Sequence, residues 1–214
     1  ILDEIKKKDC IIWDFDGVIK DSVNIKGELF VNLFINENKF IKEKIYKHHQ
    51  ENGGLSRVEK LKIYLDWSTI ESTQNNLNNL IKEYNSLCFQ NVINCSYIEG
   101  VFEFLKNNYK SQVYYLVSSA PHEELIEITK RLEIYCFFHK IYGYPNLKVK
   151  CFEFIKHESK GNFENIIAIG DSYSDYLAAK KNNIDFVLKI NSNLTTLPKW
   201  YIDEKFYLTN FIYE

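Results

Sequence analysis

The chain has 214 residues, 45% of them hydrophobic and 26% charged, with a formal net charge of −2 at pH 7. Its length accommodates a core domain and a smaller second lobe, and its composition is that of a folded globular protein rather than a disordered one. No lysine- and arginine-rich run interleaves with aromatic residues and no apolar run reaches membrane-spanning length, so we expect neither a nucleic-acid partner nor a membrane partner.

The cysteines and the first residues indicate the cellular compartment in which we expect the protein. The five cysteines are odd in number and widely spaced, and they include no CxxC pair, so they predict neither a zinc site nor a disulfide framework. The first residues lack the pattern of a signal peptide. We therefore expect a cytoplasmic protein, in a reducing compartment.

In chain order, short apolar runs rich in β-branched residues predict buried parallel strands. They cover residues 10–15, 113–117, 166–170 and 186–190, with a weaker run at 137–142. Helical patterns lie between the later runs, and this alternation predicts an α/β fold with a doubly wound, Rossmann-like parallel sheet. The segment 197–214 is expected to pack on this core as a final strand or helix.

One stretch interrupts the alternation. Residues 23–91 contain no convincing strand and carry three apolar stripes at helical spacing. This pattern predicts an all-helical lobe inserted after the first strand, with a helical domain at 23–92 and a core domain made of 1–22 and 93–214. The adjacent His48 and His49 would point apart on a helix with no acid cluster beside them, so we interpret both as surface residues.

Two acidic motifs follow predicted strands. Asp14 and Asp16 end the first strand two residues apart, and Gly17 then permits a sharp turn and a close approach to a phosphate. One carboxylate could attack a substrate while the other handles a proton. Asp171 and Asp175 follow the third of the strong strand runs, on one face of a helix, and carboxylates of this kind suit Mg²⁺. A turn or a helix cap would explain either motif taken alone.

Two further motifs could bind phosphate. Ser118 and Ser119 stand between a strand and a helix start, where hydroxyl and free N–H groups suit an anion. Lys148 opens a later helix after Gly-Tyr-Pro-Asn-Leu, and Lys150 competes with it. We prefer Lys148 because the apolar positions at +3, +4 and +7 place it in the first turn.

Taken in order, these motifs resemble the four motifs of the haloacid dehalogenase superfamily: Asp-X-Asp-Gly-Val, a strand ending in Ser, a Lys after Gly-X-Pro, and Gly-Asp-Ser-X-X-Asp. The resemblance covers the core, and it implies that the helical insertion is the cap of the subgroup that includes phosphoglycolate phosphatases and β-phosphoglucomutase. It also implies an enzyme that requires Mg²⁺.

The resemblance assigns a role to each matching residue. Asp14 would be the nucleophile and Asp16 the general acid and base, and the phosphoryl group would be bound by Gly17, Ser118, Ser119 and Lys148. Mg²⁺ would be held by the Asp14 carboxylate, the Asp16 backbone carbonyl and Asp171, with Asp175 in support. Asp16 also favours phosphate esters over carbon–halogen bonds, because a halide leaving group needs no proton.

The helical insertion carries a further hint about the substrate. Gly54-Leu55-Ser56-Arg57 resembles the specificity loop of mutase-like caps, so Arg57 is a candidate substrate contact, and Lys26 is a second. Pairing of Arg57 with Glu59 or Glu28 is the alternative. The resulting hypothesis is a monomeric phosphatase acting on a small phosphomonoester: a phosphorylated sugar, acid, polyol or amino alcohol. A phosphomutase on the same scaffold and a receiver-like signalling protein are the competing interpretations.

Overall fold

The computed structural model describes residues 1–158, 165–190, 197–201 and 206–212. These residues form a six-stranded, all-parallel sheet with the strand order β3-β2-β1-β4-β5-β6. Its strands are β1 (Cys10–Trp13), β2 (Val113–Pro121), β3 (Lys140–Tyr144), β4 (Ile166–Gly170), β5 (Asp185–Lys189) and β6 (Tyr207–Leu208). The order runs outward in both directions from β1, which confirms the predicted doubly wound topology and makes the carboxyl end of β1 the expected ligand position.

Helices cover both faces of the sheet and form the insertion. They are α1 (Leu2–Lys6), α2 (Val23–Leu33), α3 (Lys39–Glu51), α4 (Arg57–Trp67), α5 (Gln74–Asn94), α6 (Val101–Asn108), α7 (His122–Arg131), α8 (Lys148–Glu158) and α9 (Tyr173–Lys181). Short 3₁₀ turns occupy Tyr135–Phe137 and Lys199–Tyr201. None of the helices in the described ranges combines the length and hydropathy that a bilayer span requires.

Several strand predictions need small corrections. The first strand ends at Trp13, so Asp14 and Phe15 already belong to the loop that follows it. The weak run at 137–142 begins too early, because residues up to Phe137 form a 3₁₀ turn and β3 starts at Lys140. The final segment supplies a 3₁₀ turn and the edge strand β6, while residues 202–205 and 213–214 within it lie outside the described part.

The insertion consists of helices α2 to α5, and two adjacent chain segments connect it to the core. Where the chain leaves and re-enters the core, the Asp21 N–H donates to the Ser96 carbonyl at 2.9 Å and the Ile98 N–H donates to the Ile19 carbonyl at 2.9 Å. We call these four helices the cap. Its apolar residues are continuous with the cluster on one face of the sheet, whereas α8 and α9 cover the other face.

Candidate active site

The site is built around Asp14, at the carboxyl end of the central strand β1. Its backbone N–H donates to the Ile169 carbonyl at 2.9 Å, which keeps the chain paired with β4 for one residue beyond the strand. Its side chain is only 6% exposed. Burial raises the pKa of Asp14 well above its usual range, repulsion from Asp175 adds to this shift, and the nearby Lys148 ammonium opposes it.

Lys148 binds two of the acids directly. Its Nζ lies 3.0 Å from Asp14 Oδ2 and 2.6 Å from Asp175 Oδ1, and burial by itself would lower its pKa. The two carboxylates outweigh that burial, so the pKa of Lys148 is raised and the side chain is charged. Lys150, by contrast, pairs with Glu153 on the exposed side of α8.

Asp14, Asp171 and Asp175 form a cluster suited to a divalent cation. Each offers a carboxylate oxygen, and these oxygens lie within 4.8 Å of one another. Burial and repulsion from Asp175 raise the pKa of Asp171 to about 7, although the Lys148 ammonium opposes the shift. Both Asp175 oxygens are already engaged, by Lys148 at 2.6 Å and by the Ser172 hydroxyl at 2.6 Å. Asp175 therefore fits a supporting position better than a direct ligand position.

The turn after Asp16 brings the two acidic loops together. Gly17 has a φ of +74°, and a Cβ at this position would lie 2.2 Å from Asp171 Oδ2. Any larger residue would displace Asp171 and would also strain the backbone. The glycine therefore allows the β1 loop and the Asp171 loop to meet at one point.

Asp16 contacts the cap. Its Oδ1 lies 2.6 Å from Lys26 Nζ on α2 and accepts a hydrogen bond from the Ser22 hydroxyl at 2.5 Å. Burial would raise the pKa of Asp16, but the Lys26 ammonium and the Ser22 hydroxyl outweigh it, and the pKa is lowered. In this conformation Asp16 is therefore ionised, the state in which it can accept a proton.

Ser118 and Ser119 lie within β2 near its carboxyl end, not between the strand and a helix start as predicted, and they occupy different positions. Ser118 is 1% exposed and its Oγ accepts from the Ala120 N–H at 3.1 Å, whereas the Ser119 hydroxyl donates to the Gly54 carbonyl of the cap at 3.2 Å. The cap loop also lies close to the Asp171 loop, since a Cβ on Gly54 would be 2.3 Å from the Ser174 Cβ. The cap is thus closed over the core.

A cavity of about 810 Å³ lies between the two lobes. Its lining joins the acids and serines of the core to cationic and aromatic side chains of the cap: Asp14, Asp16, Asp171, Ser118, Ser119, Lys148, Lys26, Phe30, Arg57, Lys60 and Tyr84. This volume is within the usual range of small-molecule sites.

Arg57 lines this cavity, but its guanidinium donors are directed elsewhere. They form two bonds to the Glu124 carboxylate, at 2.6 and 2.7 Å, and one to Asn85 Oδ1 at 2.5 Å. Glu124 belongs to α7 of the core, so the pair joins cap and core. Neither Glu59 nor Glu28 is its partner, and Glu59 instead completes a capping box with Ser56 at the start of α4. Substrate contact by Arg57 and by Lys26 stays a prediction.

The sequence-based interpretation missed one pair of cap residues. His49 is 6% exposed, not a surface residue, and its Nδ1 lies 3.1 Å from the Nζ of the buried Lys60. Helical spacing could have placed His49 on the buried face of α3, because Ile45 lies four residues earlier. No local pattern could have predicted that Lys60, on a separate helix, would lie beside it.

Comparison with known proteins identifies one family and several solved structures with a similar fold. The sequence profile of the haloacid dehalogenase-like hydrolase family matches residues 11–189. No curated protein is significantly similar to the chain in sequence.

Three solved structures share the fold, each under a provisional name. A phosphoglycolate phosphatase from Haemophilus somnus has a TM-score of 0.74 at 15% identity, over 95% of both chains. The hydrolase YfnB from Bacillus subtilis, bound to magnesium, has a TM-score of 0.71 at 15% identity, over 95% of both chains. A β-phosphoglucomutase from Thermotoga maritima has a TM-score of 0.65 at 19% identity, over 88% of both chains.

Proposed function

The chain belongs to the haloacid dehalogenase-like hydrolase family, and on that basis we propose that it is a magnesium-dependent phosphatase that hydrolyses a small phosphomonoester. One observation carries the proposal. A buried Asp14, with Lys148 Nζ 3.0 Å away and two further acids beside it, faces a cavity enclosed by the cap. In-line phosphoryl transfer requires this combination of a nucleophile, a cation and a metal position.

In the first step, an Asp14 oxygen attacks phosphorus while the bond from phosphorus to the leaving oxygen breaks. The leaving oxygen takes a proton from the Asp16 carboxyl group, giving an alcohol and an aspartyl-phosphate. In the second step, the Asp16 carboxylate removes a proton from a water molecule whose oxygen attacks phosphorus. The bond to Asp14 then breaks, releasing phosphate and the free carboxylate.

The ionised Asp16 of this conformation matches the second of these steps. The first step requires a protonated Asp16, so the ion pair with Lys26 must weaken while the ester is bound. Lys148 and Ser118 would contact the oxygens of the transferring group, and the N–H groups near Gly17 and Ser119 would assist. Removal of one such donor typically costs about 10²–10³ in rate.

Mg²⁺ fits the donor set, because the clustered acids leave negative charge uncompensated, as the raised pKa of Asp171 indicates. Asp14 and Asp171 would supply carboxylate oxygens and Asp16 its backbone carbonyl. When bound, the ion would neutralise charge on the phosphoryl oxygens.

The test is phosphate release from a panel of small phosphomonoesters with Mg²⁺. We expect turnover by the wild type and by Asp3→Asn, an exposed control, and none by Asp14→Asn or Asp16→Asn. Mass spectrometry after an acid quench should find a phosphoryl group on Asp14 of the wild type. Turnover that survives in Asp14→Asn would refute the mechanism.

A phosphomutase is the second candidate, since the cap loop at Gly54 contacts the core at Ser119 and Ser174, and a mutase needs a cap that closes against water. Phosphorus NMR with a sugar phosphate and a bisphosphate primer separates the two candidates. A mutase would form an isomeric ester without releasing phosphate, whereas a phosphatase would release phosphate.

A further inference from the structure

Lys60 is a buried cation that faces the cavity. It lies on α4, is 3% exposed and contributes to the cavity lining. Its Nζ lies 3.1 Å from His49 Nδ1 and 5.9 Å from the centre of the Phe30 ring. Within the described ranges, no carboxylate lies within ion-pair distance of Lys60.

His49 fixes the position of this ammonium group. Its Nε2 lies 3.0 Å from the Val23 carbonyl oxygen, an acceptor, so Nε2 carries the proton and Nδ1 accepts from Lys60. Burial and the charge of Lys60 together lower the pKa of His49 to about 3, so the imidazole is neutral. One of the three Lys60 N–H donors is thus used, and two are left for a ligand.

The neighbouring cations of the cap already have acidic partners. Lys26 pairs with Asp16 at 2.6 Å and Arg57 with Glu124 at 2.6 Å. Lys60 therefore adds positive charge that no described acid of the cap compensates. Burial and repulsion from Lys26 lower its pKa to about 8, although Asp16 and Asp171 counteract them. Burying such a charge is unfavourable unless a ligand supplies the opposite charge.

We infer that Lys60 is a specificity-determining residue, which binds an anionic group at the end of the substrate remote from the transferred phosphoryl group. That group is a carboxylate or a second phosphate, since either offers oxygens to two N–H donors. The inference rests on the proposed function and narrows it. Phosphorylated acids and bisphosphates then become preferred substrates, and phosphorylated amino alcohols become poor ones.

The experiment compares four series of alkyl phosphates with chains of two to six carbons. The end remote from the phosphate is a carboxylate, a second phosphate, a hydroxyl or an ammonium group. The chain lengths are varied so that the remote group is presented at several distances from the phosphate, one of which matches the position of Lys60. For the wild type we expect the best anionic ester to exceed its hydroxyl counterpart in kcat/KM by about 10- to 100-fold, as for one charged hydrogen-bonded contact. The ammonium series should be the poorest.

Lys60→Met should remove this preference, so that the anionic and hydroxyl series differ from each other by less than a few-fold in kcat/KM. Lys62→Met is the matched control, because Lys62 is an exposed lysine of the same helix, and it should keep the preference. Equal losses in all series for Lys60→Met, or a wild type without preference for anionic ends, would overturn the inference. If Lys60→Met does not fold, Lys60→Gln gives the same test, because it also removes the charge. Absence of turnover in every series would instead overturn the proposed function.

Discussion

Replacing Glu124 by glutamine tests what Arg57 does. Glu124 on the core helix α7 and Arg57 on the cap helix α4 form a two-bond ion pair, and the two side chains are only 13% and 8% exposed. Glutamine keeps the size of the side chain and can still accept one hydrogen bond. It leaves the Arg57 charge without its counter-ion whenever the cap closes.

The expected free-energy cost of Glu124→Gln follows from the burial of the ion pair and from Asn85, the partner that Arg57 keeps. Removing one member of a buried ion pair costs about 3–5 kcal/mol. Asn85 still accepts from Arg57 at 2.5 Å, and the opened cap can expose the guanidinium to water, so the cost is reduced. We expect the closed arrangement to lose about 2–3 kcal/mol, which corresponds to a fall of roughly 30- to 150-fold in kcat/KM if closure completes the site.

The assay is steady-state hydrolysis of the best ester of the panel at saturating Mg²⁺. Glu123→Gln is the control, since Glu123 is the exposed neighbour on the same helix, and it should behave as wild type. Arg57→Gln and the double variant complete a double-mutant cycle. If the two side chains interact directly, the coupling energy between them should be similar to the loss of about 2–3 kcal/mol expected for Glu124→Gln.

One result would refute this reasoning. If Glu124 merely holds Arg57 away from the substrate, Glu124→Gln would free the guanidinium, and kcat/KM would rise or stay unchanged. The candidate role of Arg57 as a substrate contact would then gain support over the role of closing the cap.

Three further changes have measurable outcomes. Because the pKa of His49 is about 3 in the folded state and 6.5 when unperturbed, only the unfolded state gains a proton as pH falls below 6.5, which removes about 2 kcal/mol of stability by pH 5. In urea unfolding, the free energy of unfolding of His49→Gln relative to that of the wild type should therefore rise by about 2 kcal/mol between pH 7.5 and pH 5. A difference that does not change with pH would contradict the assignment. Lys148→Met should lower kcat by about 10²–10³, whereas Lys150→Met should be silent, and equal effects would show that the wrong lysine was chosen. Mg²⁺ at about 100 times its Kd should stabilise the wild type against unfolding by about 2.7 kcal/mol, and Asp171→Asn by much less. Removal of Mg²⁺ with a chelator should reverse this stabilisation. Equal stabilisation of the two proteins would exclude Asp171 as a ligand.

Much of the fold could be predicted from local patterns. Apolar runs ending in Asp14, Ser118 and Asp171 indicated strands whose carboxyl ends carry the polar groups, and a parallel sheet brings such ends to one edge. The helical stripes between residues 23 and 91 indicated the inserted lobe for the same reason, since apolar periodicity is local. Strand ends shifted by up to four residues, the largest shift being that of β2, which runs on to Pro121, because hydrogen bonding to neighbouring strands decides where a strand begins and ends.

The sequence by itself determined which segments form strands and which polar residues lie near their carboxyl ends, because the side-chain period and the turn residues are encoded over a few positions. Only the tertiary structure decided their partners. Arg57 pairs with a glutamate 67 residues away, and Lys60 meets His49 on another helix. Such contacts depend on how helices pack and how the cap closes on the core, and no short-range pattern records the distance between elements that are remote along the chain.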